Sequence, residues 1–174
     1  MLNKSRMKRL YFLSIDPPTE VGESLQEVIT SLSEKNKGPN FEPHITLLGN
    51  ISSDLETVKQ KAKLLVSKLK PFPIYFSEVS FSTTYFQSVF IRVKATAELM
   101  DSNILAKEIY KVENKVFMPH MSLIYGNHSM KEREKIASVV KLPKNISFKA
   151  LKLVIMQDAQ NPNDWVHVTE FKIK

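Results

Sequence analysis

The sequence predicts an α+β fold built as two similar lobes, and two observations lead to this prediction. Stretches rich in β-branched and aromatic residues alternate with stretches whose apolar residues recur at helical spacing. The order strand, helix, strand, helix, strand also occurs twice along the 174 residues, which indicates an internal duplication. We therefore expect one domain, residues 1–174, with halves at roughly 9–82 and 85–174.

The first half accounts for five elements. In chain order these are a strand at 9–15, a helix from Thr19 to about residue 34, a strand at 44–48, a helix within 52–70 and a strand at 74–82. Thr19 is the expected cap of the first helix, and a Ser or Asp of "SSD" caps the second. Pro71 and Pro73 end the second helix because proline cannot continue it. The apolar stripe of the first helix is Leu25, Val28, Ile29 and Leu32.

The second half repeats the order at nearly the same spacing. Its elements are a strand at 88–95, a helix from Thr96 to about Val112, a strand at 120–125, a helix at 129–141, a strand at 146–156 and a closing strand at 164–173. The helix that Thr96 opens has an expected stripe of Leu99, Ile104, Leu105 and Ile109.

Composition narrows the classes of function. The chain has no cysteine, which excludes disulfides, thiol catalysis and thiolate metal sites and favours a cytoplasmic location. No apolar run approaches the ~20 residues that span a bilayer, so we expect a soluble protein. We also expect a monomer without an obligate protein partner. The formal charge of +7 favours anionic partners such as nucleotides or RNA, although an ordinary lysine-rich surface explains it equally well.

Two segments share one short motif. "PHITLLGN" contains His44 and Thr46, and "PHMSLIYGN" contains His120 and Ser122. Successive side chains of a strand point to opposite faces, so each strand presents an imidazole and a hydroxyl about 6–7 Å apart on one face and apolar side chains on the other. If the two lobes pack about a pseudo-two-fold axis, both polar faces meet in one cleft.

Two imidazoles and two hydroxyls suit the cleavage of a phosphodiester. One neutral histidine can act as general base and one cationic histidine as general acid. The hydroxyls can donate hydrogen bonds to phosphate oxygens, where charge develops in the transition state. A single motif of this kind is more often a structural element, but two matched copies favour the catalytic interpretation. No metal-ligand spacing is present, and four glycines leave no glycine-rich phosphate loop.

The segments "FEPHITLLG", "TTYFQSVFIRVKATAELM" and "FMPHMSLIYG" resemble the 2H phosphoesterase superfamily and, within it, the cyclic phosphodiesterases of the plant and yeast type. The resemblance implies a bilobal α+β fold with an antiparallel sheet in each lobe, facing a central cleft. It also implies hydrolysis of ribose cyclic phosphates without metal or other cofactor. Typical substrates of the family are nucleoside 2',3'-cyclic phosphates and ADP-ribose 1'',2''-cyclic phosphate.

The resemblance also implies roles for individual residues. His44, Thr46, His120 and Ser122 match the catalytic quartet, with His120 as base and His44 as acid, an assignment that could be reversed. Tyr125 matches a tyrosine near the attacking water, although a buried aromatic at a strand end is an equal alternative.

Related enzymes carry an aromatic residue in the first strand, where this chain is expected to have Ser14. Base stacking must then come from elsewhere, with Tyr85 or Phe86 as candidates, or be absent. A role in the core or at the rim is the alternative for both residues. Trp165 is interpreted as a core or lobe-edge aromatic, and His128 and His167 as structural or solvated residues.

Two other functions remain open at this point. One is RNA-end chemistry by a 2'-5' RNA ligase or an RNA 3'-end phosphodiesterase of the same superfamily. Such enzymes use more arginine near the cleft than the four arginines here suggest. The other is a non-catalytic nucleotide- or RNA-binding module, which the intact quartet disfavours.

Overall fold

The computed structural model describes residues 9–113 and 116–174, and it has an α+β architecture with a large antiparallel sheet and four α-helices. The strands are β1 (Arg9–Ile15), β2 (Ile45–Ser53), β3 (Phe72–Ile74), β4 (Phe76–Phe81), β5 (Val89–Val93), β6 (His120–Ile124), β7 (Phe148–Ala150), β8 (Lys152–Gln157) and β9 (Val166–Lys172). The helices are α1 (Thr19–Asn36), α2 (Leu55–Lys68), α3 (Ala97–Tyr110) and α4 (Met130–Val139), with a short 3₁₀ helix at Pro162–Asp164. This confirms the predicted fold class.

The large sheet has the strand order β4-β5-β6-β2-β1-β8-β9, and β3 pairs with β7 in a separate two-stranded sheet. Its two groups of strands meet at β2 and β6, which pair through Ile45 and Met121. β4 lies beside β5, and β8 lies beside β1, so each group contains strands from both halves of the sequence. The internal duplication itself stays a prediction.

One face of the large sheet is covered by helices. α1 and α4 contact the β4-β5-β6 group, whereas α2 and α3 contact β2, β8 and β9. Alternate strand residues point into this layer, and four of them, Ile45, Leu47, Met121 and Leu123, are essentially inaccessible. Burial of each such side chain contributes about 1.5–3 kcal/mol, so the register that buries them is firmly held. The same register leaves the motif histidines and hydroxyls on the other face.

Two of the three helix caps expected from the sequence are confirmed. Asp54 caps α2 by accepting a hydrogen bond from the Thr57 amide at 3.1 Å. Thr96 caps α3, and Ser129 forms a capping box with Glu132 at the start of α4. The expectation for α1 is wrong, because the cap position is Pro18 and Thr19 is the first helical residue.

Two further expectations need correction. Ile104 does not belong to the buried stripe of α3, since 52% of its surface is exposed. The buried face includes Asn103 and Tyr110, which are polar but donate hydrogen bonds to the carbonyls of Leu47 (2.7 Å) and Val58 (2.8 Å). In addition, the stretch 146–156 forms two strands, because β7 leaves the large sheet to pair with β3.

Within the described part of the chain, none of the helices combines the length and apolarity needed to cross a membrane.

Candidate active site

A cleft of about 400 Å³ opens where β2 and β6 meet. In an antiparallel pair the residues that flank Ile45 and Met121 face one another crosswise, which brings His44 toward Ser122 and His120 toward Thr46. The cleft is lined by Phe12, His44, Thr46, Gly49, Asn50, Thr84, Phe86, Gln87, His120, Ser122, Tyr125, Asp158 and Trp165. The structure therefore brings together the quartet and Tyr125 in one cavity.

The two imidazoles are held in the same way. Nδ1 of His44 lies 2.7 Å from the Glu42 carbonyl oxygen, and Nδ1 of His120 lies 2.9 Å from the Met118 carbonyl oxygen. A carbonyl can only accept, so each Nδ1 carries a proton and donates it. The tautomer that this bond selects leaves Nε2 of each ring to accept a proton when neutral and to donate one when cationic.

His120 differs from His44 in its electrostatic surroundings. Burial is the main cause that lowers the pKa of His120, and the positive charges of His44 and Arg92 lower it further. The hydrogen bond to the Met118 carbonyl acts in the opposite direction. A histidine whose pKa is lowered is neutral at neutral pH, as a general base must be.

The hydroxyl of Ser122 is already engaged. Its Oγ donates to the Phe86 carbonyl at 2.8 Å, and the side chain is buried. A hydroxyl has a single proton, so Ser122 must turn this proton away from Phe86 before it can donate to a phosphate oxygen. Thr46 is half-buried in the cleft wall opposite. The phosphate-binding role of both hydroxyls stays a prediction.

Tyr125 lies at the base of the cleft. Its ring stacks on Phe41 with centroids 3.9 Å apart, and 3% of its surface is exposed. Burial raises the pKa of Tyr125 well above its ordinary value, although a hydrogen bond with Ser122 opposes this rise. The phenol therefore stays protonated, so it can donate a hydrogen bond, to Ser122 or to a molecule in the cleft, but cannot act as a base.

Aromatic rings form the wall beside His44. Phe12 and Trp165 lie with ring centroids 5.6 Å from that of His44, and they are 5.0 Å from each other in an edge-on arrangement. Phe86 lies nearly parallel to Trp165 at 6.1 Å, with 44% of its surface exposed. These rings offer an apolar surface to a planar ligand.

The structure bears on the expectations for Ser14, Tyr85 and Phe86. The first strand does place an aromatic in the cleft, namely Phe12, whereas Ser14 is fully buried and donates to Asp16 at 2.7 Å. Phe12 and Ser14 are two residues apart on one strand face, so alternation alone could have identified Phe12. Tyr85 lies outside the cleft lining and packs against the core, unlike Phe86.

Trp165 packs against the core, as its interpretation as a core or lobe-edge residue expects, and its ring also lines the cleft. Its Nε1 donates to the Ala159 carbonyl at 3.1 Å, which orients the ring toward His44. It follows the 3₁₀ helix, and no local pattern in the sequence indicates this position.

The other two histidines lie apart from the cleft lining. His128 Nδ1 is 3.0 Å from the Ser88 hydroxyl, and the ring packs against Gly126. His167 is exposed on β9. Among the described residues there is no group of three or more His, Cys, Asp or Glu side chains that could hold a metal ion.

Comparison with known proteins identifies the family. The family model for cyclic phosphodiesterase-like proteins matches residues 12–173. The chain belongs to this family. This confirms the resemblance to the cyclic phosphodiesterase branch of the 2H phosphoesterases and the prediction of a phosphodiesterase hydrolase.

Two curated relatives and two solved structures are similar to this family member. A cyclic phosphodiesterase of Arabidopsis thaliana is 25% identical over 128 residues, which cover 73% of this chain and 71% of the relative. A 2',3'-cyclic-nucleotide 3'-phosphodiesterase of Yarrowia lipolytica is 33% identical over 110 residues, 58% of this chain and 48% of that protein. E. coli LigT complexed with 3'-AMP has a TM-score of 0.68 at 14% identity, and the match covers 95% of this chain and 98% of LigT. A protein of Thermus thermophilus has a TM-score of 0.62 at 16% identity, covering 94% and 97% of the two chains.

Proposed function

We propose that this cyclic phosphodiesterase-like protein hydrolyses a cyclic phosphate on a ribose, a nucleoside 2',3'-cyclic phosphate or ADP-ribose 1'',2''-cyclic phosphate, to a phosphomonoester. The observation that carries the proposal is the pair of histidines at one cleft, each with Nδ1 bonded to a backbone carbonyl and Nε2 left for proton transfer. The names of the two curated relatives support the substrate class.

In the proposed mechanism His120 is the general base and His44 the general acid. Nε2 of His120 takes a proton from water as the water oxygen bonds to phosphorus. The bond from phosphorus to one ribose oxygen breaks, and Nε2 of His44 gives its proton to that oxygen. The product is a monoester with a free ribose hydroxyl, and the histidines have exchanged protonation states, which solvent resets. No nucleophilic side chain is required, because a bound cyclic diester and a positioned water already have the reacting atoms close together.

Thr46 and Ser122 are assigned to the non-bridging phosphate oxygens, and Tyr125 to the attacking water. Hydroxyl donors stabilise charge in the transition state without adding a formal charge that would disturb the histidines. Among the described residues that line the cleft, none is Lys or Arg, so the net charge of +7 lies elsewhere on the chain. Histidines and hydroxyls would therefore be the main polar contacts of the phosphate.

The size of the cleft favours a small substrate over a strand of RNA. Its volume of about 400 Å³ is near the lower end of the ~300–1,000 Å³ found for ligand pockets. The base would lie against the aromatic rings of Phe12, Phe86 and Trp165. Its edges would contact polar side chains at the rim, such as Asn50 and Gln87. The cytoplasmic location, the monomeric state and the independence of metal stay predictions.

Turnover of 2',3'-cyclic AMP tests the proposal. His44→Ala and His120→Ala should each lower kcat/KM by about 10²–10⁴-fold, and the double variant should lose little more than the worse single variant because the two residues act as a unit. Wild-type activity should survive EDTA. A loss below about ten-fold in either single variant would refute the mechanism. Phosphorus NMR of the product identifies the ester bond that opens.

The same assay separates the alternatives. A preference for an oligoribonucleotide ending in a 2',3'-cyclic phosphate over 2',3'-cyclic AMP would indicate RNA-end processing. Calorimetric binding of 3'-AMP without turnover of any cyclic phosphate would indicate a non-catalytic nucleotide-binding module.

A further inference from the structure

The two motif histidines have unlike neighbours on the adjacent strands. β1 pairs with β2 through Ile15 and Ile45. The next residues outward from this pair are Asp16 and His44, so a carboxylate comes beside one imidazole. The charge of His44 is one of those that act directly on the Asp16 carboxylate.

The equivalent position in the other motif carries the opposite charge. β5 pairs with β6 through Ile91 and Met121, and the next pair is Arg92 and His120. A guanidinium therefore lies beside the second imidazole, where its charge adds to burial in lowering the pKa of His120. The two motifs have the same backbone pairing, but the side chain beside His44 is negatively charged and the side chain beside His120 is positively charged.

Asp16 is held in place by the neighbouring Ser14. It is half-buried, and its Oδ1 accepts a hydrogen bond of 2.7 Å from the fully buried Ser14 hydroxyl. Burial raises the pKa of Asp16, whereas the Ser14 bond and the charges of His44, Lys152 and His167 act to lower it. Because the attraction is mutual, the carboxylate stabilises a positive charge on His44.

Arg92 is fixed by three contacts. Its Nε lies 3.1 Å from Glu78 Oε1, its Nη1 lies 3.3 Å from the Met118 sulfur, and its guanidinium lies 5.7 Å from the centre of the Phe90 ring. Met118 also supplies the carbonyl that orients His120. The guanidinium is thus tied to the segment that holds the imidazole, and it disfavours a second positive charge there.

We propose that Asp16 and Arg92 are positioning residues that assign the acid role to His44 and the base role to His120. The carboxylate of Asp16 attracts positive charge to the His44 side of the cleft, and the guanidinium of Arg92 adds to burial in disfavouring positive charge on His120. This inference rests on the proposed function, and it explains why two halves with the same motif perform different steps. Neither side chain belongs to the cleft lining, so both act through the imidazoles.

Other charged groups face the same histidines and enter the test. His44 and His120 face one another across the cleft. On the side of His44 these groups are Glu42 and Asp158, together with Lys152 and His167, which act on Asp16. On the side of His120 the group is Glu78. Glu78 provides a useful contrast because it opposes the charge of Arg92.

The first measurement is an NMR titration of the imidazole signals in the full chain, which does not depend on turnover. Asp16→Asn should lower the midpoint for His44, and Arg92→Gln should raise the midpoint for His120, each by about half a pH unit or more. Asp16→Glu and Arg92→Lys keep the charge and should keep the wild-type midpoints. Thermal unfolding of each variant checks the fold.

Glu78→Gln distinguishes an electrostatic role from a structural one. Removal of Glu78 leaves the charge of Arg92 unopposed, so the midpoint for His120 should fall or stay unchanged. If the ion pair only stabilised the strand, Glu78→Gln and Arg92→Gln would shift the midpoint in the same direction, and the role of Arg92 would be refuted.

The second measurement is the pH dependence of kcat/KM for 2',3'-cyclic AMP. Asp16→Asn should move the alkaline limb to lower pH, because the acid loses its proton sooner. Arg92→Gln should move the acidic limb to higher pH, because the base is protonated sooner. If the histidine midpoints of both variants shift by less than about 0.2 pH unit from wild type, the inference is overturned. If only one variant fails to shift its midpoint, the part of the inference that depends on that residue is overturned. A wild-type chain without turnover refutes the proposed function, while the NMR titration still decides the role of Asp16 and Arg92.

Discussion

Arg133 on α4 is a buried cation that connects the loop 82–88, beside the cleft, to the rest of the fold, and its removal should lower the free energy of unfolding. Its guanidinium donates to the carbonyls of His128 and Gly126 at 2.8 and 3.1 Å, and to those of Ser82 and Thr84 at 2.5 and 2.8 Å. The side chain is 2% exposed. The loop 82–88 that it holds contains Phe86, whose carbonyl accepts the bond from Ser122. The loss of Arg133 should therefore weaken both the fold and the cleft.

The magnitude follows from these four hydrogen bonds. A hydrogen bond to a charged group contributes about 1.5–3 kcal/mol, but four bonds from one group are not additive, and the desolvation of the guanidinium offsets part of the gain. We expect Arg133→Met, which keeps the apolar stem, to lower the free energy of unfolding by roughly 3–4 kcal/mol. For a chain of this size that corresponds to a fall in Tm of roughly 6–16 °C.

Circular dichroism during thermal and urea unfolding measures this loss. Lys131→Met removes the same charge from an exposed position on the same helix and should change stability by less than about 0.5 kcal/mol. Well below its Tm, Arg133→Met should also raise KM for 2',3'-cyclic AMP, because the Phe86 loop is released. A loss of less than about 1 kcal/mol would show that the carbonyls find other partners, and the reasoning would be wrong.

Three other predictions address the cleft and its edges. Since burial lowers the pKa of His120, the acidic limb of kcat/KM should have its midpoint below the ordinary histidine value of 6.5, and a midpoint above it would contradict the role of His120 as base. Gly126→Ala should destabilise the fold by roughly 2–3 kcal/mol, because φ is +152° and the new Cβ would lie 2.3 Å from His128 Cε1. Gly22→Ala, with its nearest atom at 3.6 Å, should be neutral or slightly stabilising in α1, and urea unfolding compares the two variants. Trp165→Leu should raise KM for 2',3'-cyclic AMP roughly five-fold or more with a smaller effect on kcat, and an unchanged KM would show that the ring does not contact the base.

Much of the site was accessible from local patterns. The repeated His-x-hydroxyl motif, the period-two alternation of the strands and the caps at Asp54 and Thr96 depend on residues close in the chain, where backbone geometry leaves few choices. The same patterns placed Ile45 and Leu47 in the core and, by exclusion, His44 and Thr46 on the opposite face. The family resemblance added the cyclic phosphate chemistry.

Features that depend on distant strands were not accessible in this way. Trp165 enters the cleft because β9 pairs with β8 and the 3₁₀ helix before it turns the ring toward His44, and nothing near residue 165 specifies that packing. Residues 146–156 split into two strands because β7 pairs with β3 and β8 pairs with β1, and both partners lie far away in the sequence.

The sequence by itself determined which side chains could perform acid-base chemistry and on which strand faces they stand. Only the tertiary structure decided that the two faces share one cleft, that Phe12 and Trp165 form its wall, and that a carboxylate neighbours one imidazole and a guanidinium the other. The physical reason is that charge and burial act through space, so the protonation of a histidine depends on strands that the chain reaches far away in sequence.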